Sequence, residues 1–259
     1  MNNKWMFLSS STLKIIAMIL MVIDHIGFQF QYELGEYYEL FRILGRLSFP
    51  VFAFLITDGM IHSRNKIKYI LQMLILGIGI EVVDQMIIHT NQGNIMTTLG
   101  FSALAIYFLQ RYRWYEKLLS LLPMTIVILA DPNFEIFSFK FQYGIYGLIT
   151  ILGFYFCYLL SYKIKELLDL NSKYYILIRN IISSLFLIIF NILWMIIVRK
   201  IHFWNEYLIN LQIFAIFTFI LLIFYSGKRG YNKSWFKWFC YLFYPLQFIL
   251  IYLAYMIIY

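Results

Sequence analysis

Apolar segments long enough to cross a lipid bilayer recur along the whole chain and are separated only by short polar stretches. The sequence is 62% hydrophobic and 13% charged, whereas a soluble domain carries about one quarter charged residues. Because backbone groups in hydrocarbon must form their hydrogen bonds internally, such segments fold as helices. No stretch is long or polar enough to form a soluble domain. We therefore predict an all-α, polytopic helical bundle, with residues 1–259 forming a single transmembrane domain.

The apolar runs predict about nine membrane-spanning helices. The first run is not read as a cleavable signal peptide, because it contains ionisable residues, lacks a small-residue cleavage site and precedes many further spans. The predicted spans lie near residues 11–31, 47–62, 67–88, 95–110, 117–130, 144–162, 175–198, 207–225 and 237–258.

The distribution of basic residues predicts the orientation of the chain in the membrane. Most of the 21 Lys and Arg residues fall on one side when the N-terminus is placed in the cytoplasm, as the positive-inside rule requires. We therefore predict a multi-pass cell-membrane protein with a cytoplasmic N-terminus. The same bias accounts for the net charge of +8, so we expect membrane lipids, and no nucleic acid, as partners.

Two adjacent ionisable residues, Asp24 and His25, interrupt the first predicted span. Ionisable groups at that depth are costly unless they are paired or hydrated, and they commonly mark chemistry or ion movement. Neighbours on a helix point about 100° apart, so the two side chains face different directions. A neutral imidazole there could act as a general base on an amine or hydroxyl. The structural alternative is an Asp–Arg pair that joins two helices, with the histidine hydrogen-bonded between spans.

Two arginines, Arg42 and Arg46, lie at the predicted outer start of the second span, and their spacing of four would place them on one helical face. Asp24 could pair with either of them, and either could stabilise an oxyanion or position an anionic acceptor. Acidic residues at the membrane surface could instead neutralise them, namely Glu33, Glu36 and Glu39. The catalytic candidates are His25, Asp24, Arg46 and Arg42.

Two basic inner turns could bind the phosphates of a cytosolic cofactor or of an anionic lipid. The first contains Arg64, Lys66 and Lys68. The second contains Lys228 and Arg229 between two glycines, which permit close approach of the backbone. The positive-inside bias by itself also explains turns of this composition.

Polar residues near the outer ends of the third and fourth predicted spans could line a substrate-binding cavity. They are Glu81, Asp84 and Asn94, and the two acids could also counter the charge of the arginines. No cluster of His, Cys, Asp and Glu has metal-ligand spacing, so no metal site is predicted. The sequence also contains no phosphate-binding loop of the G-x-x-x-x-G-K-[ST] kind and no G-x-S-x-G elbow.

Four blocks of this sequence resemble the TraX family of integral membrane proteins. Residues 13–27, which contain Asp24-His25, resemble the opening block of the family. Residues 42–54, which contain both arginines, resemble its second block and continue to Gly59 and residues 62–65. Near the C-terminus, the Ser-Gly-Lys-Arg-Gly and Phe-Tyr-Pro-Leu segments at 226–230 and 243–246 are similar to its last blocks.

The resemblance implies an acyltransferase of a bacterial inner or plasma membrane. The namesake of the family acetylates the N-terminus of conjugative pilin and uses acetyl-CoA as the acyl donor. The matching positions imply that Asp24 and His25 are catalytic and that both arginines serve the site. Family members often have His where this chain has Gln247, and Asp where it has Gln142. We therefore expect both glutamines to contact an acceptor other than pilin.

Three functions are compatible with these residues. The first is a membrane acyltransferase that uses acyl-CoA and a peptide, glycan or lipid acceptor. The second is a proton-coupled transporter in which Asp24 and His25 relay protons, although the sequence shows no inverted repeat. The third is a non-enzymatic assembly factor in which the charges only hold the spans together. An acyltransferase would consume acyl-CoA, and a transporter would show flux driven by a pH gradient. An assembly factor would tolerate His25→Ala.

Overall fold

The structure, a computed structural model, describes residues 5–83, 93–134, 136, 139–202 and 204–258. Every regular element within these ranges is a helix, and they contain no β-strand, which confirms the predicted all-α class. Two of the elements are 3₁₀ segments, at Gly35–Tyr37 and Ile213–Phe217. The helices are α1 (Ser10–Gln29), α2 (Gln31–Leu34), α3 (Tyr38–Arg46), α4 (Ser48–His62), α5 (Lys66–Val83), α6 (Ile95–Leu109), α7 (Trp114–Leu118), α8 (Leu121–Leu129), α9 (Gly144–Leu167), α10 (Ser172–Lys200), α11 (Glu206–Gln212), α12 (Thr218–Ile223) and α13 (Ser234–Ile258).

Six helical segments in the described part of the chain are long and apolar enough to cross a membrane. The protein is thus a multi-pass membrane protein by the length and composition of its helices. A shorter apolar helix, α6, adds to these six. The count of nine spans and the cytoplasmic N-terminus stay predictions. The six segments are Ser10–Gln29, Gln31–His62, Gly144–Leu167, Ser172–Lys200, Glu206–Ile223 and Ser234–Ile258.

Serine and asparagine side chains fix where several of the helices begin. Ser9 accepts a hydrogen bond from the backbone N–H of Thr12 at the start of α1, and Asn171 accepts from two N–H groups of α10. Asn94 and Asn205 cap α6 and α11 in the same way. Such caps satisfy N–H groups that have no partner within the helix, and they fix the helix starts close to the ends of the apolar runs.

The chain forms two compact units. The first unit comprises Met1–Phe52 and Cys157–Tyr259, and the second comprises Ala53–Phe156. Within the first unit, α1 packs on α3 and α13, and α10 packs on α11 and α12. Within the second, α6 packs on α5 and α8. That one domain covers the whole chain stays a prediction.

Two glycines let α1 and α3 approach each other closely. A Cβ atom on Gly27 of α1 would lie 2.8 Å from the Cβ of Phe41 on α3. A Cβ atom on Gly45 of α3 would collide with the side chain of Asp24 on α1. Small residues at such crossings bring helix backbones together where neither water nor bulky side chains separate them. The close crossing places Asp24 of α1 directly against the arginines of α3.

Candidate functional site

A cluster of three charged residues lies at the crossing of α1 and α3. The Nη2 atom of Arg46 donates to both carboxylate oxygens of Asp24 at 2.9 Å. The Nη1 atom of Arg42 lies 2.9 Å from Oδ1 of Asp24 and also donates to its backbone carbonyl at 3.2 Å. All three side chains are buried. The predicted Asp–Arg pairing is therefore confirmed, and Asp24 pairs with both arginines, whereas Glu33, Glu36 and Glu39 are exposed.

This cluster contains one more positive charge than negative charge, because two guanidinium groups surround one carboxylate. The Nε atom of Arg42 is buried and has no hydrogen-bond partner among the described residues. The same guanidinium lies over the ring of Phe28, with 5.4 Å between Cζ and the ring centroid. A buried guanidinium with an unused donor favours a ligand that can accept a hydrogen bond or carry negative charge.

His25 faces a different helix from its neighbour Asp24. Its Nδ1 atom lies 2.5 Å from the side-chain amide of Gln247 on α13, and its ring centroid lies 4.1 Å from that of Phe248. Asp24 points to α3 and His25 points to α13, as their adjacency on one helix predicts. The histidine is only partly buried. The site therefore combines a buried charge cluster with an imidazole on the next residue of the same helix, pointing about 100° away from Asp24.

Replacing Gly45 by alanine is expected to destabilise the protein by about 1–3 kcal/mol, because the new methyl group would displace Asp24 from its position against the arginines. The free energy of unfolding in detergent micelles measures the effect. Gly79→Ala is the control, since a Cβ atom there meets nothing within 4 Å and alanine favours the helix by up to about 1 kcal/mol. Equal stability of the two variants would contradict the tight crossing.

The turn that contains Lys228 and Arg229 is tied to the start of α1. The backbone N–H groups of Ser10 and Ser11 donate to the carbonyls of Lys228 at 2.8 Å and Arg229 at 3.1 Å. Gly230 has a φ of +70°, and a Cβ atom there would collide with the hydroxyls of Ser9 and Ser11 at the start of α1. The first amides of α1 are thus occupied by this turn. The side chains of Lys228 and Arg229 are exposed, where phosphate could reach them.

The other basic segment lies in the second unit, with Arg64 between α4 and α5 and with Lys66 and Lys68 in the first turn of α5. Arg64 and Lys68 are exposed there, as the phosphate-binding prediction requires. The Nζ atom of Lys66 donates to the side-chain oxygen of Gln110, and partial burial lowers the pKa of this amine from its ordinary value. Lys66 therefore has a structural partner within the unit, while Arg64 and Lys68 present charge to the surroundings.

Two of the predicted substrate-binding residues of the second unit, Glu81 and Asn94, join α5 to the start of α6. The amide of Asn94 donates to Glu81 at 3.1 Å and to the carbonyl of Gly77 at 2.9 Å. The backbone carbonyl of Gln142 accepts from the hydroxyl of Thr98 at 2.6 Å. Asp84 lies outside the described residues. That these residues bind substrate stays a prediction.

Sequence reasoning missed two features of the first unit. Arg179, which lies within the predicted span 175–198, is buried in α10 with its guanidinium 5.1 Å from the ring centroid of Tyr225. The amide of Gln247 lies on His25, a contact that was not predicted, and its contact with an acceptor stays a prediction. The two residues of that contact are 222 positions apart in sequence, and no local pattern signals such a pairing. Among the residues that the structure describes, no group of three or more His, Cys, Asp and Glu could hold a metal ion.

Comparisons with known proteins agree with the sequence blocks described above. The sequence model of one family, described as TraX protein, matches residues 9–254. The chain is also 32% identical over 110 residues to the "Probable fimbrial assembly protein FimC, serogroup H1" of Dichelobacter nodosus. That match covers 38% of this chain and 45% of the relative, so the chain spans less than half of the relative's length. No solved structure matches the chain. Because the family match includes all four blocks, the chain belongs to the TraX protein family.

Proposed function

We propose that this protein is a membrane-embedded acyltransferase. It transfers an acetyl or other short acyl group from acyl-CoA to an amine or hydroxyl of a peptide, glycan or lipid acceptor. The observation that carries the proposal is the position of His25 beside the buried cluster of Asp24, Arg42 and Arg46 in a membrane-spanning helix. An imidazole and a cluster with excess positive charge supply the two groups that acyl transfer requires, a base and an oxyanion stabiliser.

In the proposed reaction, Nε2 of His25 removes a proton from the acceptor as the acceptor attacks the thioester carbonyl of acyl-CoA. The carbonyl oxygen becomes a tetrahedral oxyanion, for which the buried Nε–H of Arg42 is an available donor. Collapse of this intermediate breaks the C–S bond and leaves the acyl group on the acceptor. The imidazolium of His25 then gives its proton to the departing thiolate.

Asp24 has a supporting role in this scheme. Its carboxylate contacts both guanidinium groups and holds them in a fixed arrangement. It also balances one of their two charges, which reduces the cost of burying them. The remaining positive charge is available for the oxyanion or for an acidic group of the acceptor.

Exposed basic residues are the proposed contacts for the phosphates of the donor. Two turns are alternatives for this contact, Lys228 and Arg229 in the first unit or Arg64 and Lys68 in the second, and all four side chains are exposed. The name of the Dichelobacter nodosus relative concerns the assembly of fimbriae. A fimbrial subunit is therefore one candidate among the peptide acceptors, in contrast to the acceptor other than pilin that Gln142 and Gln247 predict.

Release of free thiol from acetyl-CoA tests this proposal. The purified protein in lipid vesicles is mixed with acetyl-CoA, with and without an amine or hydroxyl acceptor, and thiol release is followed by a colorimetric reagent. Acceptor-dependent release is expected, with the acetyl group recovered on the acceptor. Folded protein that neither binds nor consumes acetyl-CoA would overturn the proposal.

A proton-coupled transporter is tested in the same vesicles by imposing a pH gradient without acyl-CoA. In that function Asp24 and His25 would exchange protons along one path. Their side chains instead face different helices, α3 and α13. This geometry argues against a direct proton relay between the two side chains.

A further inference from the structure

Gln247 is an exceptional residue on α13. This helix is largely exposed, and only three of its residues, Phe236, Tyr244 and Gln247, are buried. The other two buried residues are aromatic, whereas Gln247 carries an amide that needs hydrogen-bond partners. A buried amide on a membrane helix is costly unless such a partner is present. The partner is Nδ1 of His25, on α1.

The chemistry of a histidine base depends on what its second ring nitrogen contacts. A neutral imidazole carries its proton on one nitrogen and accepts a proton at the other. For Nε2 to act as the base, the proton must stay on Nδ1, and a hydrogen-bond acceptor at Nδ1 keeps it there. The only polar side chain for which the described structure records a hydrogen bond with the His25 ring is that of Gln247.

The Gln247 amide can supply that acceptor. Its nitrogen faces Nδ1 in the structure, and its oxygen Oε1 is buried with no hydrogen-bond partner among the described residues. A rotation of 180° about the last side-chain bond exchanges the two ends and places Oε1 on Nδ1. The Nδ1–H then donates to Oε1, and the lone pair of Nε2 is left for the acceptor. The neighbouring ring of Phe248 restricts the orientation of the imidazole.

We propose that Gln247 is a positioning residue that fixes the tautomer of His25 and so reserves Nε2 for proton transfer. The inference rests on the proposed function, because it assigns the partner of the base used there. A carboxamide suits this task in both protonation states, since the Nδ1–H of neutral imidazole and of imidazolium can each donate to Oε1. Gln247 itself gains and loses no proton during the reaction.

The charges around His25 make a substitution of Gln247 informative. The charged groups that act on the imidazole are Asp24 on its own helix and Arg42 and Arg46 on α3. The contacts from α13 are uncharged, because they come from Gln247 and Phe248. Gln247→Glu would add a negative charge at Nδ1 with little change in shape. A nearby opposite charge stabilises imidazolium, so His25 should then release its proton at higher pH.

The test measures the reactivity of His25 as well as turnover. Diethyl pyrocarbonate modifies unprotonated imidazole, and peptide mass spectrometry reports the rate at His25 as a function of pH. The exposed His62 is the internal reference in every sample. The variants are Gln247→Glu and Gln247→Leu, and the matched control is Gln212→Leu, which removes a buried glutamine from α11 of the same unit.

In Gln247→Glu, the pH midpoint of His25 modification should rise by about one unit or more. The acidic side of the plot of turnover against pH should shift to higher pH by the same amount. In Gln247→Leu, turnover should fall by about 100-fold with an unchanged KM for acetyl-CoA, since only the orientation of the base is lost. Gln212→Leu should change neither the midpoint nor the KM. An unchanged His25 midpoint in folded Gln247→Glu, or wild-type turnover in Gln247→Leu, would overturn the inference.

The modification assay also separates this inference from the proposed function. It reports the proton equilibrium of His25 directly and needs no acyl transfer. If the wild-type protein consumed no acetyl-CoA but the midpoint still rose in Gln247→Glu, the contact would stand and the proposed reaction would fall. If turnover were present and the midpoint did not move, the proposed reaction would stand and the role of Gln247 would fall.

Discussion

Substitution of His25 by alanine is expected to lower the rate of acceptor-dependent thiol release by about 10²–10⁴-fold, because the reaction loses its general base. Binding of acetyl-CoA should be retained, since the proposed phosphate contacts lie in the exposed turns and not at the imidazole. Stopped-time assays with the purified protein in vesicles measure turnover, and equilibrium binding of labelled acetyl-CoA measures affinity.

The matched control for this prediction is His62→Ala. His62 lies at the end of α4, with about half of its side chain exposed and a hydrogen bond to the carbonyl of Asp58. Its removal should leave turnover within twofold of the wild type, because no proposed step uses it. Full thiol release by folded His25→Ala would rule out the imidazole as the base.

Substitution of Asp24 by alanine is expected to destabilise the protein by about 3–5 kcal/mol, because it removes the carboxylate that both buried guanidinium groups contact. Unfolding in mixed detergent micelles, followed by the fluorescence of the six tryptophans, measures the loss. Glu36→Ala is the control, since this acid is exposed and its removal should change stability by no more than about 0.5 kcal/mol.

A combined variant tests whether the charges act as one group. When Asp24→Leu is combined with Arg42→Met and Arg46→Met, no charge remains buried at the crossing of α1 and α3. The triple variant should therefore be more stable than Asp24→Leu alone, even though it carries two additional substitutions. If the triple variant lost the sum of the unfolding free energies lost by the three single variants, the three residues would not act as one cluster. Turnover should be absent in the triple variant whatever its stability.

The sequence was sufficient to predict the helical class and much of the local structure. Apolar runs give helix positions because hydrocarbon forces backbone groups to bond within each segment. The observed α1 and α10 begin where Ser9 and Asn171 supply caps, one and three residues from the predicted starts of their spans. Adjacency also predicted that Asp24 and His25 face different directions, and the structure shows contacts to two different helices.

The partners of these residues required the tertiary structure. That Asp24 could pair with an arginine was predicted from their charges, but only the crossing at Gly27 and Gly45 shows that both arginines reach it. Arg179 carries a charge near a helix end, a pattern typical of the cytoplasmic surface, yet packing against Tyr225 buries it. A charged residue in an apolar run indicates that burying it costs free energy. It does not indicate which residues will surround the side chain.

What the sequence by itself determined is the class of the protein and the identity of its unusual residues. An acid and an imidazole in an apolar run stand out because hydrocarbon penalises them, and that penalty is a local property. What only the tertiary structure decided is their arrangement, in which α3 supplies two guanidinium groups to Asp24 and α13 supplies Gln247 to His25. The physical reason is that contacts between residues 18 to 222 positions apart depend on how helices cross, and helix crossing is set by packing over many residues at once.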